Sequence, residues 1–352
     1  MAETINVLET GDRIPNFSLQ DQSGEYLEFY TTMIAGGPIV FVVFAGDGEG
    51  NKSLLLSLEK KLPEFSAENA HLIVIGTDTF ESYAVLRQKL DFHYTLLADP
   101  GRQIAEWFLG SAQAQEFAVF VLDPNQRLIS FQTEVNGEVT AIISHALQEL
   151  KRIAPKNKPR IISEVAPVLV IPNVFSPDYC RQLIDLWESE GHEHAQVSGN
   201  KAEDQGREVN YGYFIRKDHT IVDKERTREL TNIIGSRLGP ELQKVFLYDK
   251  LIFEPYVIGC YETADAGFFR AHRDNFNENL QHRRYAFTIN LNSEEYEGGD
   301  LRFPEYGTDY YRPPTGGAIV FSCSLLHEVL PMTKGRRFIL QGFIGEKPAQ
   351  QA

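Results

Sequence analysis

Cysteine is scarce in this sequence of 352 residues: there are three, at positions 180, 260 and 323, and none lies earlier in the chain. No two of them stand at the close spacing of a zinc ribbon, and an odd number of distant thiols does not suit a disulfide framework. The sequence therefore excludes both kinds of small stapled fold. It favours a reducing compartment, and we expect a cytoplasmic protein.

Long apolar runs are also missing. The chain contains no stretch of eighteen consecutive apolar residues, which is about the length that a membrane helix needs. Its first six residues include neither the basic segment nor the apolar segment of a signal peptide. We therefore expect no membrane span and no export signal.

Positive charge is short in the first half of the chain. Residues 1–150 contain 8 Lys and Arg against 21 Asp and Glu, whereas residues 151–352 contain 26 against 28. Most of the net charge of −15 therefore belongs to the first half. Because phosphate backbones repel an acidic protein, we expect neither nucleic acid nor an anionic membrane as a partner. Solubility is the simpler role for this charge.

The chain is long enough for two domains, and 42% of its residues are hydrophobic, which is enough to fill two cores. In the first half, apolar runs typical of buried strands alternate with segments of helical periodicity. The predicted strands are residues 38–44, 71–76, 95–98, 117–122 and 127–131, and the predicted helices are residues 52–65, 80–90 and 139–150. This order predicts a layered α/β domain over residues 1–150.

The segment 11–19, together with that element order, resembles the peroxiredoxin branch of the thioredoxin fold. This family acts through a cysteine thiolate at the turn from the central strand into the next helix, where the helix N-terminus lowers the thiol pKa. Residues 45–53 occupy that turn here and contain no cysteine, so peroxidase activity does not carry over. A scaffold role or homodimerisation through residues 1–150 remains. Asp47 and Glu49 disfavour phosphate binding by the same glycine-rich turn.

Residues 151–166 have the charged, proline-containing composition of a linker, and a second domain is predicted over residues 167–352. Ser176 is a side-chain cap that predicts a helix after it, and a second helix is predicted over residues 223–243. We expect both helices to support a β structure. The polar segment 191–210 between them is predicted to be a flap over the site.

Three candidate metal ligands lie in this second domain. In an extended segment, residues i and i+2 project to one face, so His272 and Asp274 can bind the same ion. His327 follows an apolar run, residues 317–324, that is typical of a buried strand. Two histidines and one carboxylate form a facial triad, which suits Fe(II) because it leaves coordination positions open. Each residue alone is more often structural, so the prediction depends on their combination.

Arg337 supports this interpretation. It lies ten residues after His327, at the start of the strand-like run 337–344. Its planar guanidinium can hold a carboxylate through two parallel hydrogen bonds, as the distal end of an iron-bound 2-oxoglutarate requires. Arg336 is the neighbouring alternative, and the register of the predicted strand favours Arg337.

Residues 256–344 resemble the catalytic core of the prolyl-4-hydroxylase branch of the Fe(II)- and 2-oxoglutarate-dependent dioxygenases. The matching pieces are Gly259, Cys260 and Tyr261, residues 267–275, Leu291 and Asn292, residues 297–303, and residues 327–331 followed by Arg337. The resemblance implies a mainly-β double-stranded β-helix, or jelly roll, with supporting helices. It also implies that His272, Asp274 and His327 hold Fe(II) and that Arg337 holds the 2-oxoglutarate cosubstrate, with ascorbate as a further candidate cofactor.

One position departs from the family pattern. Asn290 stands where many members carry an aromatic residue just before the Leu-Asn pair, so both Tyr261 and Asn290 are candidates to assist Arg337. The implied reaction uses O2 to hydroxylate a prolyl-like peptide or a small molecule, with release of succinate and CO2. The rival hypothesis is a non-catalytic jelly roll that binds a metal or ligand, with the thioredoxin-like half as an interaction platform. Retention of the triad and the arginine together favours the enzyme.

Overall fold

The computed structural model describes residues 8–30, 36–45, 51–109, 117–133, 138–153, 161–195, 197–198, 207–208 and 214–346. The chain divides into two compact units, Met1–Lys158 and Pro159–Ala352. This division falls inside the linker predicted at residues 151–166. Most of the glycine-rich turn, residues 46–50, and much of the predicted flap lie outside the described residues.

The first unit is a single mixed sheet with helices on both faces. Its strands are β1 (Ser18–Asp21), β2 (Tyr26–Glu28), β3 (Ile39–Phe44), β4 (His71–Gly76), β5 (Thr95–Ala98), β6 (Phe117–Leu122) and β7 (Leu128–Thr133), and its helices are α1 (Lys52–Ala67), α2 (Phe80–Leu90), α3 (Gln103–Leu109) and α4 (Val139–Arg152). The strand order is β2-β1-β5-β4-β3-β6-β7, with β4 parallel to β3 and to β5. This is the thioredoxin-like α/β domain that the sequence predicted.

The central strand β3 shows why the unit needs helices on both sides. All six of its residues are buried. Val40, Val42 and Phe44 belong to the core cluster under α1, α2 and α4, whereas Ile39, Phe41 and Val43 belong to the cluster with α3. Successive side chains of a strand point to opposite faces, so a continuous apolar run requires a cover on each.

The sequence analysis did not predict α3 or the β1–β2 hairpin. Helix α3 has seven residues, which is too few for a clear helical period. Its start is fixed instead by Asp99, whose carboxylate accepts hydrogen bonds of 2.8 to 3.0 Å from the backbone N–H groups of Gln103, Ile104 and Ala105. A cap of this kind satisfies N–H groups that have no partner inside the helix.

The second unit is mostly antiparallel β structure. Its longer strands are β13 (Lys217–Thr220), β15 (Val257–Glu262), β16 (Phe268–His272), β17 (Arg283–Asn290), β21 (Ala318–Ser322) and β24 (Arg336–Gly345). The shorter strands are β8 (Leu169–Ile171), β9 (Glu193–His194), β10 (Val197–Ser198), β11 (Arg207–Glu208), β12 (Phe214–Ile215), β14 (Ile252–Phe253), β18 (Glu297–Gly298), β19 (Leu301–Arg302), β20 (Tyr310–Tyr311), β22 (His327–Val329) and β23 (Met332–Lys334). Two helices accompany them, α5 (Pro177–Glu190) and α6 (Lys224–Phe246).

These strands form two main sheets. The larger has the order β8-β21-β17-β24-β15-β13-β9, and the smaller has the order β12-β16-β22-β19-β20. One core cluster joins α5 and α6 to the larger sheet, and a second cluster contains residues of both sheets. The arrangement is the predicted jelly roll, with its two helices packed against the larger sheet.

The local signals at the starts of the two helices agree with the structure. The Ser176 hydroxyl accepts a hydrogen bond from the backbone N–H of Tyr179, and Pro177 is the first residue of α5. The Asp223 carboxylate does the same for α6 by accepting from the N–H of Arg226. In the part of the chain that the structure describes, no helix is both long and apolar enough to cross a bilayer.

Candidate functional site

The three candidate metal ligands come together where β16 meets β22. His272 ends β16 and lies directly across from His327, which begins β22. Asp274 follows two residues later and is anchored by a 2.9 Å hydrogen bond from its backbone N–H to the carbonyl of Cys323. One ligand atom from each residue lies within 4.8 Å of the others, and within the described ranges this is the one such cluster of three or more.

Hydrogen bonds fix the orientation of the two imidazole rings. Nδ1 of His272 lies 2.8 Å from the carbonyl of Arg270, and Nδ1 of His327 lies 3.0 Å from the carbonyl of Leu325. A ring nitrogen against a carbonyl oxygen must carry the proton, so each Nε2 is left with its lone pair. Each Nε2 lies 3.5 Å from a carboxylate oxygen of Asp274, and all three groups therefore face one point.

The electrostatics of the cluster suit a divalent cation. Burial raises the pKa of Asp274, but the adjacent His327 and His272 outweigh it and hold that pKa below its ordinary value. Burial lowers the pKa of His327, against the opposing effect of Asp274. The carboxylate oxygen Oδ2 is buried and has no hydrogen-bond partner in the described chain, which is costly without a compensating cation. The residues therefore fit a bound Fe(II).

Arg337 lies on β24 and lines the same inner cavity as the triad. It is 2% exposed, and its Nη1 and Nη2 donate to the carbonyl of Gly299 at 2.6 Å and to Oδ1 of Asn290 at 3.1 Å. Its Nε has no partner, and no carboxylate of the described residues pairs with it. By contrast, Arg336 is exposed and forms an ion pair of 2.8 Å with Glu188. Arg337 is therefore a buried cation that has no anionic partner in the part of the chain that the structure describes.

Tyr261 and Asn290 occupy different positions around Arg337. Tyr261 lies opposite Arg337 in the β15–β24 pairing and lines the inner cavity. Asn290 is 1% exposed and is not among the lining residues. Its amide nitrogen lies within hydrogen-bonding distance of Ser293, Tyr296 and Pro313, while its oxygen accepts from Arg337. Asn290 thus orients Arg337 from outside the cavity, whereas Tyr261 lines the cavity itself.

The sequence analysis missed three polar residues of this cavity, namely Arg216, Thr288 and Gln341. The hydroxyl of Thr288 is buried and has no partner in the described structure. Thr288 precedes Asn290 by two positions on β17, so strand alternation alone would have placed both on one face. Arg216 and Gln341 carry no such local signal, because only the pairing of distant strands brings them here.

An outer cleft of about 750 Å³ opens beside the triad. It shares with the inner cavity Arg216, Phe269, His272, Asp274 and Gln341. His192, His194 and His219 form part of one wall. His192 stacks on Trp187 at 3.5 Å between ring centroids, and Nδ1 of His219 lies 2.7 Å from the carbonyl of Gly191. The outer cleft thus leads from the surface to the candidate metal centre.

Comparison with known families agrees with this division of the chain. The sequence model of the 2OG-Fe(II) oxygenase superfamily matches residues 257–345, and the model of the AhpC/TSA family matches residues 10–130. The chain therefore carries an AhpC/TSA, peroxiredoxin-like domain followed by a 2OG-Fe(II) oxygenase domain. Both expected resemblances are confirmed.

Curated relatives cover different shares of this chain and of their own length. A PKHD-type hydroxylase of Hyphomonas neptunium is 32% identical over 129 residues, which is 32% of this chain and 57% of that protein. A PKHD-type hydroxylase of a Synechococcus strain is also 32% identical, over 51% of its own length. The procollagen-lysine,2-oxoglutarate 5-dioxygenase 1 of Rattus norvegicus is 23% identical over 74% of this chain and 36% of its own. The chain thus spans about half the length of the first of these relatives.

Solved structures of two kinds are similar to parts of the chain. The peroxidoxin BcpB of Mycobacterium tuberculosis is 22% identical, with a TM-score of 0.39 over 42% of this chain and 99% of its own. A prolyl-4-hydroxylase of Pseudomonas putida is 19% identical, with a TM-score of 0.40 over 52% of this chain and 94% of its own.

Proposed function

We propose that the protein is an Fe(II)- and 2-oxoglutarate-dependent dioxygenase that hydroxylates a C–H bond. The observation that carries this proposal is Arg337, a buried cation that pairs with no carboxylate of the described residues, in one cavity with His272, Asp274 and His327. A buried charge without a partner is strongly unfavourable, so the cavity is built for an anionic ligand beside a metal. A dicarboxylate that reaches from the metal to Arg337 meets both demands.

The proposed reaction consumes the substrate, 2-oxoglutarate and O2, and it yields the hydroxylated substrate, succinate and CO2. One oxygen atom of O2 enters the C–H bond, and the other enters the new carboxylate of succinate. Bound Fe(II) supplies the site where 2-oxoglutarate and O2 react. In this proposal, His272, Asp274 and His327 hold the metal, and Arg337 binds the distal carboxylate with the hydroxyls of Tyr261 and Thr288.

The proposal specifies the chemical class of the substrate. The named relatives include hydroxylases and a dioxygenase of procollagen lysine, which supports a peptidyl, prolyl-like substrate or a small molecule of similar chemistry. The outer cleft of about 750 Å³ has room for such a group next to the triad. The cytoplasm is the proposed location, because the chain has only three cysteines and all three are free thiols.

Anaerobic addition of Fe(II) and 2-oxoglutarate tests the metal centre. The wild-type protein is expected to develop the visible charge-transfer band of the chelate, and His272→Ala is expected to lose it. Iron- and oxygen-dependent release of succinate from 2-oxoglutarate then separates an enzyme from a pure binding module. Absence of the band in the wild-type protein, or an undiminished band in His272→Ala, contradicts the proposal.

A matched pair of variants tests the role of Arg337. Arg337→Leu is expected to weaken 2-oxoglutarate binding by about 30-fold or more, because a charge-assisted pair inside the cavity is lost. Arg336→Leu removes the same charge from the opposite face of β24 and is expected to leave that affinity within about twofold. The measurement is titration of the charge-transfer band with 2-oxoglutarate. Equal effects of the two substitutions would show that Arg337 does not bind the cosubstrate.

A further inference from the structure

Strand β24 presents a row of side chains that runs from the inner cavity to the outer cleft. Arg337, Ile339 and Gln341 line the inner cavity, and Gln341 and Phe343 line the outer cleft. Alternate residues of a strand share a face, and four residues span about 13 Å. Gln341 thus lies about that far along the strand from the residue proposed to bind the cosubstrate tail. It is the next polar side chain on that face, where the two cavities join.

The contact with Arg216 determines which way the side-chain amide of Gln341 is oriented. Its Oε1 lies 2.5 Å from Nη1 of Arg216. A guanidinium has only donors, so the amide oxygen must face Arg216 and the NH2 group must face away from it. No acceptor among the described residues contacts that NH2 group. Within the described residues, Gln341 therefore has two N–H donors without an acceptor, on a side chain that lines both cavities.

Arg216 is itself held in place. Its Nε and Nη2 donate to the two carboxylate oxygens of Asp218 at 2.6 and 2.7 Å, and Nη1 also lies 3.4 Å from the Tyr261 hydroxyl. Gly259 on β15 provides the space, because a Cβ there would lie only 3.0 Å from Cδ of Arg216. The orientation of Gln341 is thus set by a clamped guanidinium and not by solvent.

We propose that Gln341 is a substrate-recognition residue whose NH2 group binds a carbonyl or carboxylate oxygen next to the carbon that is hydroxylated. Arg216 and Asp218 are positioning residues that keep the donors turned toward the substrate. The substrate class is then an amino acid or a peptide residue, since both carry such an oxygen near an aliphatic ring or chain. This inference rests on the proposed function, because it defines the substrate relative to the same metal centre.

Three small probes distinguish the possible sources of the oxygen. L-proline carries a carboxylate, L-prolinamide carries an amide carbonyl, and pyrrolidine carries neither. Calorimetric titration of the full chain, with 2-oxoglutarate and with Mn(II) in place of Fe(II), is expected to show at least one of the first two binding about tenfold or more tighter than pyrrolidine. Preference for L-proline indicates a free amino acid, and preference for L-prolinamide indicates a peptidyl residue.

Substitutions connect this preference to the named residues. Gln341→Leu is expected to reduce the advantage over pyrrolidine by about tenfold, whereas Gln281→Leu, at an exposed position outside both cavities, keeps it. Arg216→Met is expected to lose part of the advantage and Arg216→Lys to restore some of it, since lysine keeps one donor for Oε1. A structural role alone would not change the ratio between probes.

Three results would overturn the inference: pyrrolidine binding as tightly as the other probes, an unchanged probe ratio in Gln341→Leu, or no binding of either carbonyl-bearing probe. These results are separable from failure of the proposed function, which is measured by the charge-transfer band and by succinate release. Probe binding that depends on Gln341 in a protein that gives neither signal would support the recognition site and reject the dioxygenase.

Discussion

Three buried polar atoms that have no hydrogen-bond partner among the described residues belong to side chains that line one inner cavity: Oδ2 of Asp274, Nε of Arg337 and Oγ1 of Thr288. One is part of an anion, one belongs to a cation and one is a neutral hydroxyl. Together they define the polarity of the ligand that this cavity suits, with a cation favoured at Asp274 and an anion favoured at Arg337. Buried polar groups are rarely left unpaired unless function requires it, so this cavity is shaped for binding.

Thr288 allows a test in which stability and binding change in opposite ways. Thr288→Val removes a buried hydroxyl that has no hydrogen-bond partner among the described residues, so the thermal midpoint of the ligand-free protein is expected to stay the same or rise. The affinity for 2-oxoglutarate is expected to fall by about fivefold to tenfold, because one hydrogen bond to the distal carboxylate is lost. The measurements are differential scanning calorimetry and titration of the charge-transfer band.

Thr231→Val is the matched control. The Thr231 hydroxyl lies 2.8 Å from the carbonyl of Thr227 and 2.9 Å from the Tyr256 hydroxyl, away from the cavity. Its loss is expected to cost about 1 to 2 kcal/mol of unfolding free energy and to leave 2-oxoglutarate affinity unchanged. If Thr288→Val destabilises the ligand-free protein as much as Thr231→Val does, its hydroxyl has a structural partner and not a ligand.

A residue of this site could be predicted from the sequence when nearby residues determine its position, but not when the pairing of distant strands does. His272 and Asp274 are two residues apart in extended chain, so local geometry was enough to bring them together. Arg337 could be predicted because it opens an apolar strand at a fixed distance after His327. Arg216 and Gln341 could not, because their contact depends on the pairing of β13, β15 and β24, and no local pattern specifies that pairing.

At the scale of elements, the connection before α5 is fixed by one glycine. The carbonyl of Gly316 accepts hydrogen bonds from the N–H groups of Val174 and Phe175, and its own N–H donates to the carbonyl of Asn290. Its φ is +78°, and a Cβ there would lie 2.1 Å from the backbone oxygen of Phe175. The chain before α5 therefore docks against the end of β17 at a position that accepts no side chain.

Gly316→Ala is expected to lower the unfolding free energy by about 3 kcal/mol or more, because it adds overlap with backbone atoms to the strain of a positive φ. Gly307→Ala separates these two effects, since Gly307 has a φ of +118° but nothing within 4 Å of a built Cβ. Gly307 also has a ψ of −156°, a conformation that is essentially restricted to glycine, so this variant is expected to cost about 1 to 3 kcal/mol from backbone strain alone, less than Gly316→Ala. Urea unfolding measures both, and equal costs would show that the contact with Phe175 is unimportant.

Some helices and strands could be predicted from the sequence, and others could not. Helix α5 begins at the side-chain cap predicted at Ser176, α6 has apolar residues at helical spacing, and β3 is a continuous apolar run, so all three were predicted close to their observed positions. Helix α3 was missed because its start depends on Asp99, which precedes it across a turn, and because seven residues give too little periodicity. The β1–β2 hairpin was missed because its strands are short and partly exposed.

The whole molecule joins an oxygenase domain to a peroxiredoxin-like domain that has no cysteine. The thiol required for peroxidase chemistry is absent from residues 1–158, yet that unit keeps two well-filled cores on either side of its sheet. Selection for something other than thiol chemistry is the simplest reason for that consistency. Assembly is one such role, and strand β7 offers a surface for it.

We propose a homodimer that forms through the first unit, at β7, the outermost strand of its sheet. Leu128 at the start of β7 already exchanges backbone hydrogen bonds with Gly11 and Asp12, so the proposed contact uses the part of the strand beyond Leu128. None of the six residues of β7 is charged, although its unit is strongly acidic, and Phe131 on this strand is 44% exposed. Uncharged edge strands readily pair with a second copy. Sedimentation of the full chain at micromolar concentration is expected to show a dimer, and Phe131→Lys is expected to shift it toward monomer. A wild-type monomer, or a Phe131→Lys dimer of equal strength, contradicts this.

The row of inward side chains on β24 limits how this protein can change over evolution. Arg337 and Gln341 reach the ligand side of the sheet only because an even number of positions separates them. Replacement of either residue alters one contact and leaves the other intact. Insertion or deletion of a single residue between them would turn one of the two outward, and the protein would lose either the cosubstrate contact proposed for Arg337 or the substrate contact proposed for Gln341. In this strand, each of the two residues can be substituted separately, but the number of residues between them cannot change.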